Sequence, residues 1–224
     1  MMDVIEAIKT RHSVRAYLDK PVEEALVREI IEISKQSPSG VNSQPWKVYV
    51  VMGQAKDALV KDVLEKFDAG TPEKEEYQVY PNKADIPDWY KARQRACGFG
   101  MYGVLGIERE DMDKRVAQGR KNYEFFGAPV GMFVTVPKAI GANGWGHVGH
   151  FIQSICLAAK GKGLDTCLQE AWAGFPVTLK KHLNYGDDEI LWCGISMGYK
   201  DKEHIINTFV PERESFENFA KIIK

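Results

Sequence analysis

Apolar and polar positions alternate along this chain with two periods, and together they predict a mixture of helices and strands. Val4, Ile5 and Ile8 fall on one face of a helix predicted over Val4 to Thr10. A second helix is signalled by Glu23 and Glu24 in its first turn and by the stripe Leu26, Ile30, Ile31 and Ile33. It must end before Pro38, whose ring disfavours a helical residue ahead of it. Trp46 to Met52 reads as a strand, and Gln54 to Phe67 as a helix with one solvated face. Ala128 to Val136 is apolar except for Thr135, the pattern of a strand covered on both faces. Gly146 to Lys160 is the most apolar helix, and a helix apolar nearly all round must be buried in the core or against another subunit. Leu191 to Met197 reads as a further buried strand, and Lys200 to Lys224 as a long tail with extended and helical pieces.

Between these runs the pattern loosens. Gly70 to Pro87 collects proline, glycine and charge, which predicts a surface excursion. Trp89 to Arg93 and the glycine-spaced Phe99, Met101 and Tyr102 predict helical parts packed against the core. The expected organisation is one domain over 1–224, with the excursion at about 62–121 and the tail at about 200–224.

Composition narrows the function classes. The chain has 224 residues and a formal net charge of −1, which gives no electrostatic reason to expect nucleic acid or an anionic membrane as partner. No apolar run approaches a membrane span. The N-terminus opens on an amphipathic pattern with acidic residues, unlike a signal peptide, so a cytoplasmic protein is expected. Cys97, Cys156, Cys167 and Cys193 show no Cys-x-x-Cys spacing and are expected to be free thiols, three of them in apolar surroundings.

Two short polar segments carry the chemistry. Arg11-His12-Ser13-Val14-Arg15 gathers two guanidinium groups and a hydroxyl around an imidazole. Such a set holds a phosphate monoester and an electron-rich ring edge, although basic residues also simply favour a helix C-terminus. Ser37-Pro38-Ser39-Gly40-Val41-Asn42-Ser43-Gln44-Pro45-Trp46 places side-chain amides at the start of a strand, where they suit a heterocycle; alone it would read as a turn.

In this order and spacing the two segments closely resemble the FMN-dependent nitroreductase family, in its nitrobenzoate-reductase-like branch. That family's hallmark is Arg-x-Ser-x-Arg/Lys followed by Pro-Ser-x-x-Asn-x-Gln-Pro-Trp. The likeness continues through Gly163 to Ala171, Met197-Gly198-Tyr199 and Asn207 to Arg213. The branch is suggested by Tyr123 to Pro129 together with Gln169-Glu170-Ala171-Trp172. The resemblance implies an α+β fold with a central, mainly antiparallel sheet flanked by helices. It also implies an intertwined homodimer whose C-terminal segment wraps the partner, with the Gly146 to Lys160 helix at its core and each FMN between subunits. Composition alone leaves a monomeric α+β domain open.

Residue by residue, the resemblance implies that Arg11, His12, Ser13 and Arg15 contact the FMN phosphate, ribityl chain and pyrimidine edge, and that Arg213 completes the phosphate site. Pro38, Ser39, Asn42 and Gln44 would come from the other subunit. A backbone N–H in the turn at Gln169, Glu170 and Ala171 would approach flavin N5. Gly198 fits either a ligand contact or close packing. The implied activity has two half-reactions in one pocket: NADH or NADPH passes hydride to N5 and leaves, and a nitroaromatic or quinone-like small-molecule acceptor takes it, with no catalytic triad. Trp89, Tyr90, Tyr102, Phe125 and Phe126, with Phe99 and Tyr123, are candidates for the acceptor pocket, because planar acceptors stack on aromatic rings.

Two other readings stay open. A reductive dehalogenase resembling iodotyrosine deiodinase would carry a Glu, Tyr and Lys clamp on a lid; Glu75, Glu76, Tyr77, Tyr80 and Lys83 supply the residue types but not the order. A flavin-storage protein would bind FMN without turnover. His147 and His150, at i, i+3, have no third ligand at matching spacing and point to interface hydrogen bonding, with no metal expected. His182 and His204 are expected at the surface. Gly141 to Gly149 does not follow a strand and open a phosphate cradle, so a Rossmann-type dinucleotide site is not expected.

Overall fold

The structure, a computed structural model, describes residues 2–82 and 84–224; Lys83 of the lid set lies outside the described residues. Strands β1 (Lys47–Met52), β2 (Val130–Pro137), β3 (Asp165–Gln169) and β4 (Glu189–Gly198) form one sheet in the order β1-β2-β4-β3, every pair antiparallel. β2 is apolar almost throughout because both its faces are covered. Val130, Met132, Val134 and Val136 meet Cys193, Ile195 and Met197 of β4, Val27 and Ile30 of α2 (Glu24–Ser34), and Val148, Phe151, Ile152 and Ile155 of α6 (Ala142–Gly161). Phe133 points to the other face. There it joins Leu59 and Val63 of α3 (Gly53–Asp68), Trp172, Phe175, and Leu179 of α7 (Pro176–Leu183). A register shift at Val134/Thr135 brings Leu191 of β4 to this second core.

The helices and strands expected from the apolar pattern are all present, with α1 at Val4–Thr10 and α6 reaching back to Ala142. The excursion contains α4 (Asp88–Val104) and α5 (Met112–Arg120). Two elements lay outside the expectation. β3 reads Asp-Thr-Cys-Leu-Gln, with too few apolar residues to show a period. α7 is short, opened by Pro176 and closed by Asn184 in the left-handed region.

The stripes of the first two helices face differently from a simple core assignment. Val4, Ile5 and Ile8 of α1 are 58%, 54% and 52% exposed, and only Ala7 is buried. In α2, Val27, Ile30 and Ser34 turn inward while Ile33 faces out. Val4 and Ile33 line an open apolar groove with Leu157 and Ala158 of α6. On the tail, Phe216 and Phe219 of α8 (Phe216–Phe219), Ile222 and Ile223 are also exposed.

One carboxylate ties the excursion to the core. Glu73 accepts the backbone N–H of Val177 at 2.6 Å and of Thr178 at 3.0 Å, the Thr178 hydroxyl at 2.6 Å and the Lys66 ammonium at 2.5 Å. It thereby caps α7 at the positive end of its dipole. Burial alone would raise the Glu73 pKa, but Lys66 and Thr178 hold it below the usual carboxylate range. Tyr77 donates to the Trp192 carbonyl, and Glu76 accepts the Leu191 N–H. Cys156, Cys167 and Cys193 are buried free thiols and Cys97 is exposed. No described helix is long and apolar enough to cross a membrane.

Candidate functional site

Arg11 to Ala16 leaves α1 in a non-helical course with a burial period of two: His12, Val14 and Ala16 are buried, and Arg11, Ser13 and Arg15 occupy the opposite, partly exposed side. The segment is docked at both ends. Val14 N–H donates to the Thr166 carbonyl at 3.1 Å, and Leu18 N–H donates to the Tyr199 carbonyl at 2.8 Å. Asn207 locks the middle: its Oδ1 accepts the Arg15 N–H, and its amide donates to the Ala16 and Asp201 carbonyls, each at 2.8 Å. Arg11, Ser13 and Arg15 are thus held on one side by main-chain bonds. The Arg15 guanidinium reaches the Ser13 carbonyl at 3.2 Å, and among the described residues neither guanidinium meets a carboxylate.

His12 departs from its expected role. Its Nδ1 donates to the Thr10 carbonyl at 3.0 Å, and its Nε2 accepts from the Lys200 ammonium at 3.1 Å, a partner that can only donate. Burial and then the Lys200 charge, against the Thr10 bond, lower its pKa. The imidazole is therefore a neutral strut behind the arginines with no free ring nitrogen for a ligand.

The second segment packs on the N-terminal half of α6. Gly40 N–H donates to His147 Nε2 at 3.1 Å, and His150 Nδ1 lies 3.4 Å from the Pro38 carbonyl. Both histidines serve the loop. Among the described residues no group of three His, Cys, Asp or Glu could hold a metal. Val41, Asn42 and Gln44 have φ of 49°, 56° and 46°, a region costly for side-chain-bearing residues and most of all for β-branched Val41. Val41 is nonetheless fully exposed. Ser39 Oγ accepts the Gln44 N–H at 3.0 Å, and the Gln44 amide donates to the Asn42 carbonyl at 3.2 Å. Pro38, Ser39, Asn42 and Gln44 are gathered on this loop, and no hydrogen bond among the described residues joins it to Arg11–Arg15.

β3 ends in a tight turn, Glu170–Gly174, anchored by Trp172. The indole is fully buried between Phe125 and Phe133, with ring centroids at 4.5 and 5.2 Å. It lies over Gly194, where a Cβ would come within 2.3 Å of the ring, so the turn can sit this close only above glycine. Tyr123 donates from its hydroxyl to the Ala171 carbonyl at 3.3 Å. Gln169 donates its amide to the Asn122 carbonyl at 2.6 Å, while its Oε1 is buried without a partner. A cavity of about 410 Å³ opens beside the turn, lined by Glu170, Ala171, Glu75, Tyr80, Tyr123 and Phe175 among others. Desolvation raises the Glu170 carboxyl above its usual pKa.

The structure redistributes the aromatic candidates. Phe125 and Phe126 are 0% and 7% exposed, Phe125 packs in the core with Trp172, and neither lines the cavity. Trp89, Tyr90 and Tyr102 sit on α4, where Arg93 covers Trp89 at 4.6 Å and Arg115 covers Tyr102 at 4.1 Å. None of the three lines the cavity. The aromatic walls are Tyr123, one of the candidates, with Tyr80, Phe67 and Phe175. Phe175 carries no sequence signal, because its placement depends on the unanticipated β3 and α7.

Arg213 donates to the Pro211 and Glu212 carbonyls in a cleft facing α4. Gly198 is a packing glycine: a Cβ there would meet Pro129 at 2.8 Å. His182 is only partly exposed, paired to Asp62 at 2.8 Å, and His204 Nδ1 accepts the Ile206 N–H. Two guanidiniums without counter-charge beside a hydroxyl fit a phosphate monoester, and the unpartnered Gln169 acceptor fits a ring N–H.

A four-stranded antiparallel sheet crossed by α6, with a basic triplet beside β3 and a cavity at the turn that ends it, is the framework of a nitroreductase. The chain belongs to the Nitroreductase family, which its residues 8–199 match. It is 36% identical to a 4-nitrobenzoate reductase of Nocardioides sp. (strain LMS-CY), over 96% of this chain and 88% of that protein. It is 32% identical to a chloronitrobenzene nitroreductase of Comamonas testosteroni, over 97% and 96% of the two chains. The FMN and NADPH-dependent nitroreductase NfnB of Sphigopyxis sp. strain HMH has the same fold, with a TM-score of 0.94 at 34% identity over 100% of both chains. The Mycobacterium smegmatis NfnB solved in complex with NADPH gives 0.91 at 26% identity, over 99% of this chain and 100% of that one.

Proposed function

We propose that this chain is an FMN-dependent NAD(P)H oxidoreductase that reduces nitroaromatic or quinone-like acceptors as a homodimer. The observation that carries the reading is the triplet Arg11, Ser13 and Arg15, rigidly presented by Asn207 and lacking counter-charge. Charge-assisted hydrogen bonds of about 1.5 to 3 kcal/mol each would hold a phosphate there. Bound FMN supplies a ring position, N5, that takes hydride from NADH or NADPH and yields it to the acceptor in a second, separate half-reaction.

The protein's part is binding and orientation. Arg11, Ser13 and Arg15 hold the phosphate and the polar side of the cofactor. Gln169 Oε1 would accept a ring N–H. A main-chain N–H of the Glu170–Ala171 turn would serve N5, the turn being kept in place by Trp172 over Gly194 and by the Tyr123 hydroxyl. The cavity beside the turn would stack the acceptor against Tyr80 and Tyr123.

A second copy would complete the site. Its strained loop would bring Pro38, Ser39, Asn42 and Gln44, its tail Arg213, and the exposed Val4, Ile5, Ile8 and Ile33 face would be covered in the same contact.

The test is an anaerobic visible spectrum of the FMN-loaded protein before and after NADPH or NADH, then after a nitroaromatic. Bleaching followed by recovery is expected; an unchanged flavin band refutes the reductase. Arg11→Ala should weaken FMN binding about 10-fold to 100-fold, the loss of one charge-assisted bond. Full FMN retention would refute the phosphate site.

A further inference from the structure

Building on the reductase reading, we infer that the cavity at the Glu170–Ala171 turn selects neutral or cationic acceptors and disfavours those bearing a carboxylate, with Glu75 as a specificity-determining residue. Glu75 and Glu170 line the same space as the rings of Tyr80, Tyr123 and Phe175. Among the described residues no lysine, arginine or histidine lines it. Neither carboxylate takes part in a hydrogen bond or ion pair among the described residues.

Most of the neighbouring charges are committed elsewhere; Lys74, next to Glu75 in the chain, has no partner among the described residues and does not line the cavity. Glu73 caps α7, and Glu76 accepts the Leu191 N–H. Lys66 is paired with Glu73, and Arg120 with Asp68 and Glu124. The field of the two free carboxylates reaches the phenols of the wall: after burial, Glu170 and Glu75 raise the Tyr80 pKa, and Tyr80 and Glu75 raise that of Tyr123. The Tyr80 phenol stays protonated and can donate to a nitro or quinone oxygen, while that of Tyr123 already donates to the Ala171 carbonyl.

An acceptor stacked on those rings brings a substituent into this negative space. At a separation of about 7 Å, one like charge weakens binding by roughly 3-fold at the dielectric of water and roughly 50-fold at that of a protein surface. Two carboxylates therefore set an expected preference of about 10-fold or more against an anion. A cation gains by the same mechanism.

The experiment compares kcat/KM for 4-nitrobenzamide, 4-nitrobenzoate and a 4-nitrobenzyl trimethylammonium salt, using the FMN-loaded full chain with saturating NADPH at low and high salt. The amide should be preferred over the benzoate by about 10-fold at low salt, and both Glu75→Gln and high salt should cut that ratio at least about 3-fold. Glu75 is exposed and bonds nothing described, so its replacement leaves the fold intact. A difference in intrinsic ease of reduction would survive both changes. Equal or better turnover of the benzoate, or a preference that neither change moves, overturns the inference while leaving the reductase standing. A flavin that NADPH cannot bleach would remove the reductase reading itself, and this inference with it.

Discussion

Glu73→Ala should loosen the cavity wall from behind without removing any residue that lines it. The side chain is 9% exposed and serves four donors at once. Losing the cap on α7 costs about 1 kcal/mol, and losing the anion at the positive end of the helix about 0.5 kcal/mol more. The Thr178 hydroxyl, on a residue 4% exposed, loses its acceptor at about 1 to 2 kcal/mol. The Lys66 ammonium is 42% exposed and adds only a fraction. The total is about 3 kcal/mol, or a fall in Tm of about 6 to 12 °C for a chain of this size.

Urea and thermal unfolding of the apo protein at one fixed concentration measures it. Because the folded-state pKa of Glu73 lies below its unfolded value, its contribution is present above the unfolded carboxylate value of about 4.3 and disappears as pH falls through the folded value. The gap between wild type and Glu73→Ala should narrow accordingly in acid. Thr71, Pro72, Glu75, Val79 and Tyr80 follow or flank Glu73 and wall the cavity, so KM for the acceptor should rise more than kcat falls. A gap below about 0.5 kcal/mol, or one that acid leaves untouched, would refute the capping argument.

Gly194→Ala should drive a methyl into the Trp172 ring, destabilise the protein by about 1 to 3 kcal/mol and slow NADPH-dependent flavin bleaching by displacing the Glu170–Ala171 turn. Normal stability and rate would show that Trp172 does not set the turn. His12 has a folded pKa below its unfolded value, so the unfolded chain binds more protons and stability should fall as pH drops below about 6.5. His12→Gln should flatten that slope in denaturant titrations across this range, and an unchanged slope would place the titration elsewhere. Ile5→Lys with Ile8→Lys should shift sedimentation toward monomer and reduce FMN occupancy; an intact, flavin-bound dimer would show that this face is not the contact.

Much of the candidate site was legible because its signals are local. Arg-x-Ser-x-Arg has a period of two, so any extended segment puts the three side chains on one side, and the structure does so. The same period sends His12 inward, which the motif's wording concealed. Trp172 and Glu170 were marked only by resemblance, since a turn buried by a distant glycine leaves no periodicity in its own residues. Phe125 shows the reverse difficulty: aromatic composition is the same for a pocket wall and a core, and only its packing against Trp172 and Phe133 places it in the core.

The sequence by itself determined the elements whose pattern is dictated from within: α1, α2 and α3, the doubly covered strand β2, the buried helix α6, and the side of the chain on which Arg11, Ser13 and Arg15 stand. Tertiary structure decided what those elements face. It turned the α1 stripe outward, set Arg213 in a cleft against α4, placed β3 and α7 around the turn, and made Tyr80, Tyr123 and Phe175 the cavity wall beside Glu75. Periodicity fixes which residues share a face, but which faces meet depends on contacts between segments far apart in the chain, where burial and shape settle the outcome together.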